Sequence, residues 1–305
     1  MGIKLYREPK FERPIMVVGW PGIGNIGLIA VHTLRGVLVA EEFGEIEPWD
    51  FFYPRKVSIK AGLLKDLEFP SNKFYFQRIK NQDLIFFIGE EQPAEGGRMY
   101  ATGGKAYQMA NLVLDVGLKF GCQRVYTSGA CVSRIHHEMK PRVVSVASSE
   151  KLTEEVKKHE NTILMSEMEG GEGEGIITGL NGLLLAVARK RGLESICLMG
   201  EIPDWLSGAP FPYPKASKSV LEVFANILQI RIDFSFLDNM AAQIERIIES
   251  IYEKFPRDIR ERYDQRKFVV QAKPGAITEE DEKWIKEHID ELFKKGGKEN
   301  GEKPV

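Results

Sequence analysis

The feature that most constrains this chain lies between Pro14 and Ala30. An apolar, partly β-branched run from Ile15 to Val18 leads into a turn holding Gly19, Gly22, Gly24 and Gly27, and then comes an apolar stretch of helical character. Read as strand, tight turn and helix start, the segment crowds backbone amides at the positive end of a helix. Gly22, Gly24 and Gly27 also satisfy the spacing Gly-x-Gly-x-x-Gly, the fingerprint of a dinucleotide site.

That fingerprint needs more than glycines. It also requires an acidic residue about 20 positions on, at the end of a second buried strand, to hold the ribose hydroxyls. Glu41 and Glu42 come early for that role, and Trp20 and Pro21 put bulk into the turn where a pyrophosphate would sit. The alternative is a close strand-to-helix turn with no ligand.

Strand and helix signals alternate along the rest of the chain as far as Gly200. Asp83 to Gly89 is a continuous apolar run, as in a strand covered on both faces. Gly103 to Gly121 is predicted helical, with Gly121 as its terminator. Arg124 to Gly129 and Arg142 to Ala147 are predicted strands, Leu180 to Arg191 a helix, and Ser195 to Gly200 a buried strand. Such alternation indicates a largely parallel sheet with helices on both sides. Residues 51–78 break the pattern with short β-like runs rich in aromatics, predicting an antiparallel insertion with one wet face. After Phe234 the chain turns helical: one helix to Phe255 with an apolar stripe through Ile244, Ile248 and Ile251, then a second opening at Thr278 and carrying Trp284 and Ile289. The organisation expected is therefore an α/β core over 1–234, a helical appendage over 235–295 and a disordered tail over 296–305.

Composition narrows the function. A formal net charge of −2 over 305 residues gives no broad basic field, so no nucleic-acid partner is expected. No apolar run is long enough to span a membrane, and no signal peptide is visible, so a cytoplasmic protein is expected. Cys122, Cys131 and Cys197 form no CxxC pair and read as free buried thiols. Charged residues make up 28%, a balance found in proteins that rely on ion-pair networks in hot environments.

In an open α/β sheet, ligands bind beyond the carboxyl ends of the strands. Glycine-rich loops collect there: 19–27, 89–104, 128–130 and 167–175, joined by 201–214. A small ligand at this rim would meet Gly22, Gly24, Asn25, Gly27, Thr102, Ser128 and Gly129. The carboxylates Glu90, Glu91, Glu201 and Asp204 could instead gather a cation. Against that stands the plainer reading of the Glu-Gly stretch 167–175 as a solvated loop. His136 and His137, adjacent on an extended segment, are predicted to face opposite ways and to serve a surface or subunit contact. No Gly-x-Ser-x-Gly elbow surrounds Ser128 or Ser133. No catalytic residues, metal or cofactor are expected.

Several of these pieces together resemble the proteasome assembly chaperone family in its prokaryotic form. They are Gly19 to Gly22 with Gly24 to Gly27, Ser128 to Ala130, Gly179 to Leu184, and Pro210 to Ser217, in that order, across roughly residues 10 to 230. The resemblance implies a phosphorylase-like, three-layer α/β/α sandwich with a mostly parallel sheet. It implies a non-enzymatic homo-oligomeric chaperone or scaffold that binds protein subunits: copies of itself, proteasome α-subunits or a paralogous chaperone. Ring-docking chaperones can end in a hydrophobic–Tyr–any-residue motif, whereas this chain ends Glu302, Lys303, Pro304, Val305, so direct tail docking is not expected. The alternative is an enzyme that binds a nucleoside or a phosphate-containing ligand at the glycine-rich rim. Self-association would use the aromatic insertion or the helix after Phe234, through Phe52, Phe74, Phe76 or Ile248.

Overall fold

A computed structural model describes residues 2–80, 82–94, 101–168 and 175–269. Its centre is the predicted strand. β2 (Ile15–Gly19) comes after the short β1 (Ile3–Leu5), and Met16, Val17 and Val18 are wholly buried. The glycine turn leads into α1 (Ile26–Val37), whose Ile26, Ala30, Val31 and Leu34 form one buried stripe. β3 (Glu41–Ile46) then forms near the sheet edge.

The expected insertion divides in two. β4 (Lys56–Lys60) and β5 (Leu63–Glu68) pair only with each other, whereas β6 (Asn72–Ile79) enters the main sheet between β3 and β7 (Gln82–Gly89). Phe74 is therefore fully buried, in ring contact with Phe43 at 5.9 Å and Phe87 at 4.8 Å. Its expected place on a subunit contact is corrected: β6 is a sheet strand, and this ring faces the core. Phe52 and Phe76 are half-buried against the same cluster.

The remaining strands and α-helices are α2 (Gly103–Lys119), β8 (Arg124–Ser133), β9 (Val143–Ala147), α3 (Glu150–Val156), β10 (Thr162–Leu164), α4 (Gly179–Lys190), β11 (Glu194–Pro203), α5 (Pro214–Leu228), α6 (Ser235–Tyr252), α7 (Arg257–Asp264) and the short α8 (Arg266–Val269). The nine-stranded sheet has the order β1-β3-β6-β7-β2-β8-β11-β9-β10. Its four central strands, β7, β2, β8 and β11, are parallel; β6 and β9 flank them antiparallel. The result is an α/β sandwich. Alternate residues of β7 show the layering: Leu84, Phe86 and Ile88 join the core beneath α1 and α5, while Ile85 and Phe87 join that beneath α2 and α4.

α6 packs on α5 in the same subunit, and Leu237 and Ile248 complete the core there. Ile248 is 1% exposed, which corrects its expected place at a subunit contact, because the apolar stripe of α6 is already covered by its own chain. The second appendage helix from Thr278 and the tail lie outside the described residues, as does the stretch 169–174. Among the described residues no helix is long and apolar enough to cross a membrane.

Candidate functional site

The four parallel strands open their carboxyl ends on one rim, and the sequence motifs meet there. The turn after β2 is left-handed at Gly24 (φ 58°) and Asn25 (φ 49°). The Gly24 carbonyl accepts the amide of Tyr213 at 2.8 Å, which ties the first motif to the Pro-rich one before α5. Gly27 sets α1 against β8: a β-carbon there would lie 2.2 Å from the Ser128 carbonyl oxygen. That same carbonyl accepts Asn181 Nδ2 at 2.7 Å, so the third motif, at the start of α4, is joined too. Trp20 turns inward, 1% exposed and 5.2 Å from the Phe87 ring, rather than into the turn.

Gln92 is the residue that sequence reasoning missed. Its Nε2 donates to the Pro21 carbonyl at 2.6 Å, and its Oε1 accepts the amides of Ala101 at 3.2 Å and Leu180 at 3.0 Å. One side-chain amide thus links the turn after β2, the approach to α2 and the first turn of α4. Nothing in the Glu90–Pro93 sequence marks it, because all three partners are distant in the chain or backbone groups.

A pocket of about 440 Å³ lies at this rim, lined by Gly22, Gln92, Gly129, Cys131 and Asn181 among others. Of the expected ligand-contacting residues, Gly22 and Gly129 border it. Gly24 and Gly27 shape the turn and the helix approach behind it, and Asn25 is exposed beside them. Thr102 is half-buried ahead of α2. Ser128 is corrected: fully buried, its hydroxyl donates to the Leu198 carbonyl at 2.9 Å and cross-links β8 to β11. Its neighbour Gly129 belongs to a strand, not a loop, because β8 continues to Ser133 alongside β11. Burial pushes the Cys131 thiol up to about 11, away from nucleophile chemistry.

The four rim carboxylates are each engaged by an arginine. Arg55 binds Glu90 at 2.8 Å and Glu91 at 2.7 Å, and Arg266 binds Asp204 at 3.0 Å. Glu201, wholly buried, receives two parallel bonds of 2.9 Å from Arg142. They do not converge as a cation site. Nor do Glu41 and Glu42 stand where a ribose would need them. β3 lies three strands from β2, about 14 Å away at ordinary strand spacing, so the dinucleotide reading lacks its second half.

His136 and His137 do not face opposite ways. The chain turns after β8, and the two buried rings lie 4.2 Å apart, with Tyr252 of α6 at 4.4 Å from His137. His136 Nδ1 accepts the Glu138 amide at 3.2 Å, so we assign its proton to Nε2, 3.3 Å from Asp264. His137 Nε2 lies 3.2 Å from Glu249. Burial, with the nearby His137 and Lys267, pushes His136 down to about 4, and burial also lowers His137. These are neutral rings holding α6 and α7 to the β8–β9 loop. With Glu138 they bring three metal-ligating side chains together, but a protonated Nε2 leaves His136 no free lone pair to offer.

Fold and rim define an α/β/α protein whose glycine-rich and Pro-rich motifs build a crevice at the carboxyl ends of a central parallel sheet. More specifically, the chain belongs to the PAC2 family, whose family model matches residues 16–252. It is 31% identical over 279 residues to the uncharacterized protein MJ1210 of Methanocaldococcus jannaschii, covering 91% of this chain and 94% of that one. It is similar to the crystal structure of Pyrococcus furiosus PbaB, described as an archaeal proteasome activator: 29% identity, TM-score 0.67, 82% of this chain and 98% of that one. Pyrococcus furiosus PbaA, an archaeal homolog of proteasome-assembly chaperone, matches at 23% identity and TM-score 0.60 over 88% of this chain and 99% of that one, a likeness of fold.

Proposed function

We propose that this protein is a homo-oligomeric assembly chaperone or scaffold that binds proteasome α-subunits, acting through its surfaces rather than by catalysis. The observation that carries the reading is the likeness to PbaB, which extends over nearly the whole of that activator at 29% identity. The arginine-paired carboxylates and the strongly raised thiols support it, since both withhold the groups a catalytic rim would present. The test is co-purification of the full chain with recombinant proteasome α-subunits. Retention above an unrelated ring of similar size is the expected result; equal recovery with both would end the assignment.

The rim pocket favours a second reading, a small-molecule site. A thermal-shift screen with nucleosides, nucleotides and phosphate decides it, and a flat response across the panel retires that alternative.

A further inference from the structure

The hairpin β4–β5 stands apart from the nine-stranded sheet. Four of its five cross-strand pairs sort by face. Lys56 opposes Glu68 and Ser58 opposes Asp66 on one side; Val57 opposes Leu67 and Ile59 opposes Leu64 on the other. A bulge at Lys65 keeps Ile59 opposite Leu64 on the apolar side, while at the tip Lys60 opposes Leu63 on the other. The apolar side faces solvent: Val57 is 50%, Ile59 68%, Leu64 76% and Leu67 42% exposed, with Tyr53 at 93% close by in sequence. A two-stranded ribbon with an uncovered apolar face is marginal on its own. The pattern is therefore built for a cover that this subunit does not supply among its described residues.

We propose that the cover is the same hairpin of a second copy of this chain, packed face to face about a two-fold axis; this rests on the homo-oligomer reading above. Two observations select that occupant. A flat apolar sheet face is matched by another sheet face about 10 Å away, and both faces of this protein's main sheet already bear helices. The exposed apolar surface, on the order of 500 Å² at roughly 100–200 Å² for a large side chain, is what one side of a standard interface contributes. An antiparallel two-fold sets the tip end of one apolar face against the base end of the other, and an isologous contact of this kind closes on itself.

The experiment measures the mass of the full chain by light scattering, with and without Ile59→Asp and Leu64→Asp together. Both positions are exposed, so folding and melting temperature should be unchanged while the mass falls at least twofold. A wild-type mass of 34.5 kDa at micromolar concentration overturns the homo-oligomer reading and this proposal with it. A wild-type oligomer whose mass the charges leave unchanged overturns the hairpin contact alone. Should the double variant misfold, cross-linking decides instead. A mixture of one chain carrying Leu64→Cys and another carrying Leu67→Cys should form a disulfide dimer that neither forms alone to the same extent. No dimer in the mixture refutes the two-fold arrangement.

Discussion

Replacing Gly27 and Gly22 by alanine separates a packing glycine from a permissive one. At Gly27 the new β-carbon would meet the Ser128 carbonyl oxygen at 2.2 Å and carbon at 2.4 Å, whereas ordinary contact begins at 3.4 Å. Both neighbours are backbone in the middle of β8, so no side chain can step aside, and α1 must lift by about 1 Å from the sheet. Overpacking of that kind costs about 3 kcal/mol or more, and alanine's better helix propensity returns at most about 1 kcal/mol. The net expectation for Gly27→Ala is a loss of about 2–3 kcal/mol, or on the order of 5 °C in melting temperature for a chain of this size. At Gly22 an added β-carbon meets nothing within 4 Å, and the backbone there is extended (φ −164°), so Gly22→Ala should stay within about 0.5 kcal/mol of wild type. Urea unfolding monitored by circular dichroism measures both. Equal stability of the two variants, or greater damage at Gly22, would refute the assignment of Gly27 to helix–strand packing.

Buried ionisable groups give two more expectations. His136 and His137 titrate below their ordinary value in the folded chain, so the unfolded chain binds more protons in the window between. Stability is then full above about pH 6.5 and lost as pH falls toward about 4; His136→Gln should flatten that acid limb in denaturant midpoints taken across the range, and an unchanged limb would remove the histidine from the account. Arg142→Ala leaves the Glu201 carboxylate buried without its main partner, which should cost about 3–5 kcal/mol. In a double-mutant cycle, Arg142→Met with Glu201→Leu should lose clearly less than the sum of the single losses, and strict additivity would show that the pair does not couple.

The sheet is legible in the sequence because its strands are covered on both faces. The runs at Ile15–Val18 and Leu84–Ile88 contain nothing that solvent would accept, and the glycines at 27 and 121 mark where helices approach or end. What escapes the sequence is partnership at long range. The fourfold rim of acids reads as a cation site until their arginines are placed, and Arg55 is 35 residues from Glu90 while Arg142 is 59 from Glu201. Periodicity likewise gives α6 an apolar stripe, but cannot say that α5 of the same chain covers it. Phe74 fails for a related reason: alternation in β6 does not tell an isolated insertion from a strand of the main sheet. Adjacent histidines point to opposite faces only on an extended backbone, and the chain turns there instead.

The placement of Gln92 carries a consequence for how this rim can vary. Three loops from separate parts of the chain take their relative position from one primary amide, so their lengths are not independent variables. Grafting a longer turn after β2, or shortening the approach to α2, would move a hydrogen-bonding group away from a side chain that has no slack to track it. Diversity at this crevice is therefore channelled into positions that touch the pocket without touching Gln92, such as Cys131 of β8 and Met199 of β11, while the three crossing points stay fixed like the feet of a tripod.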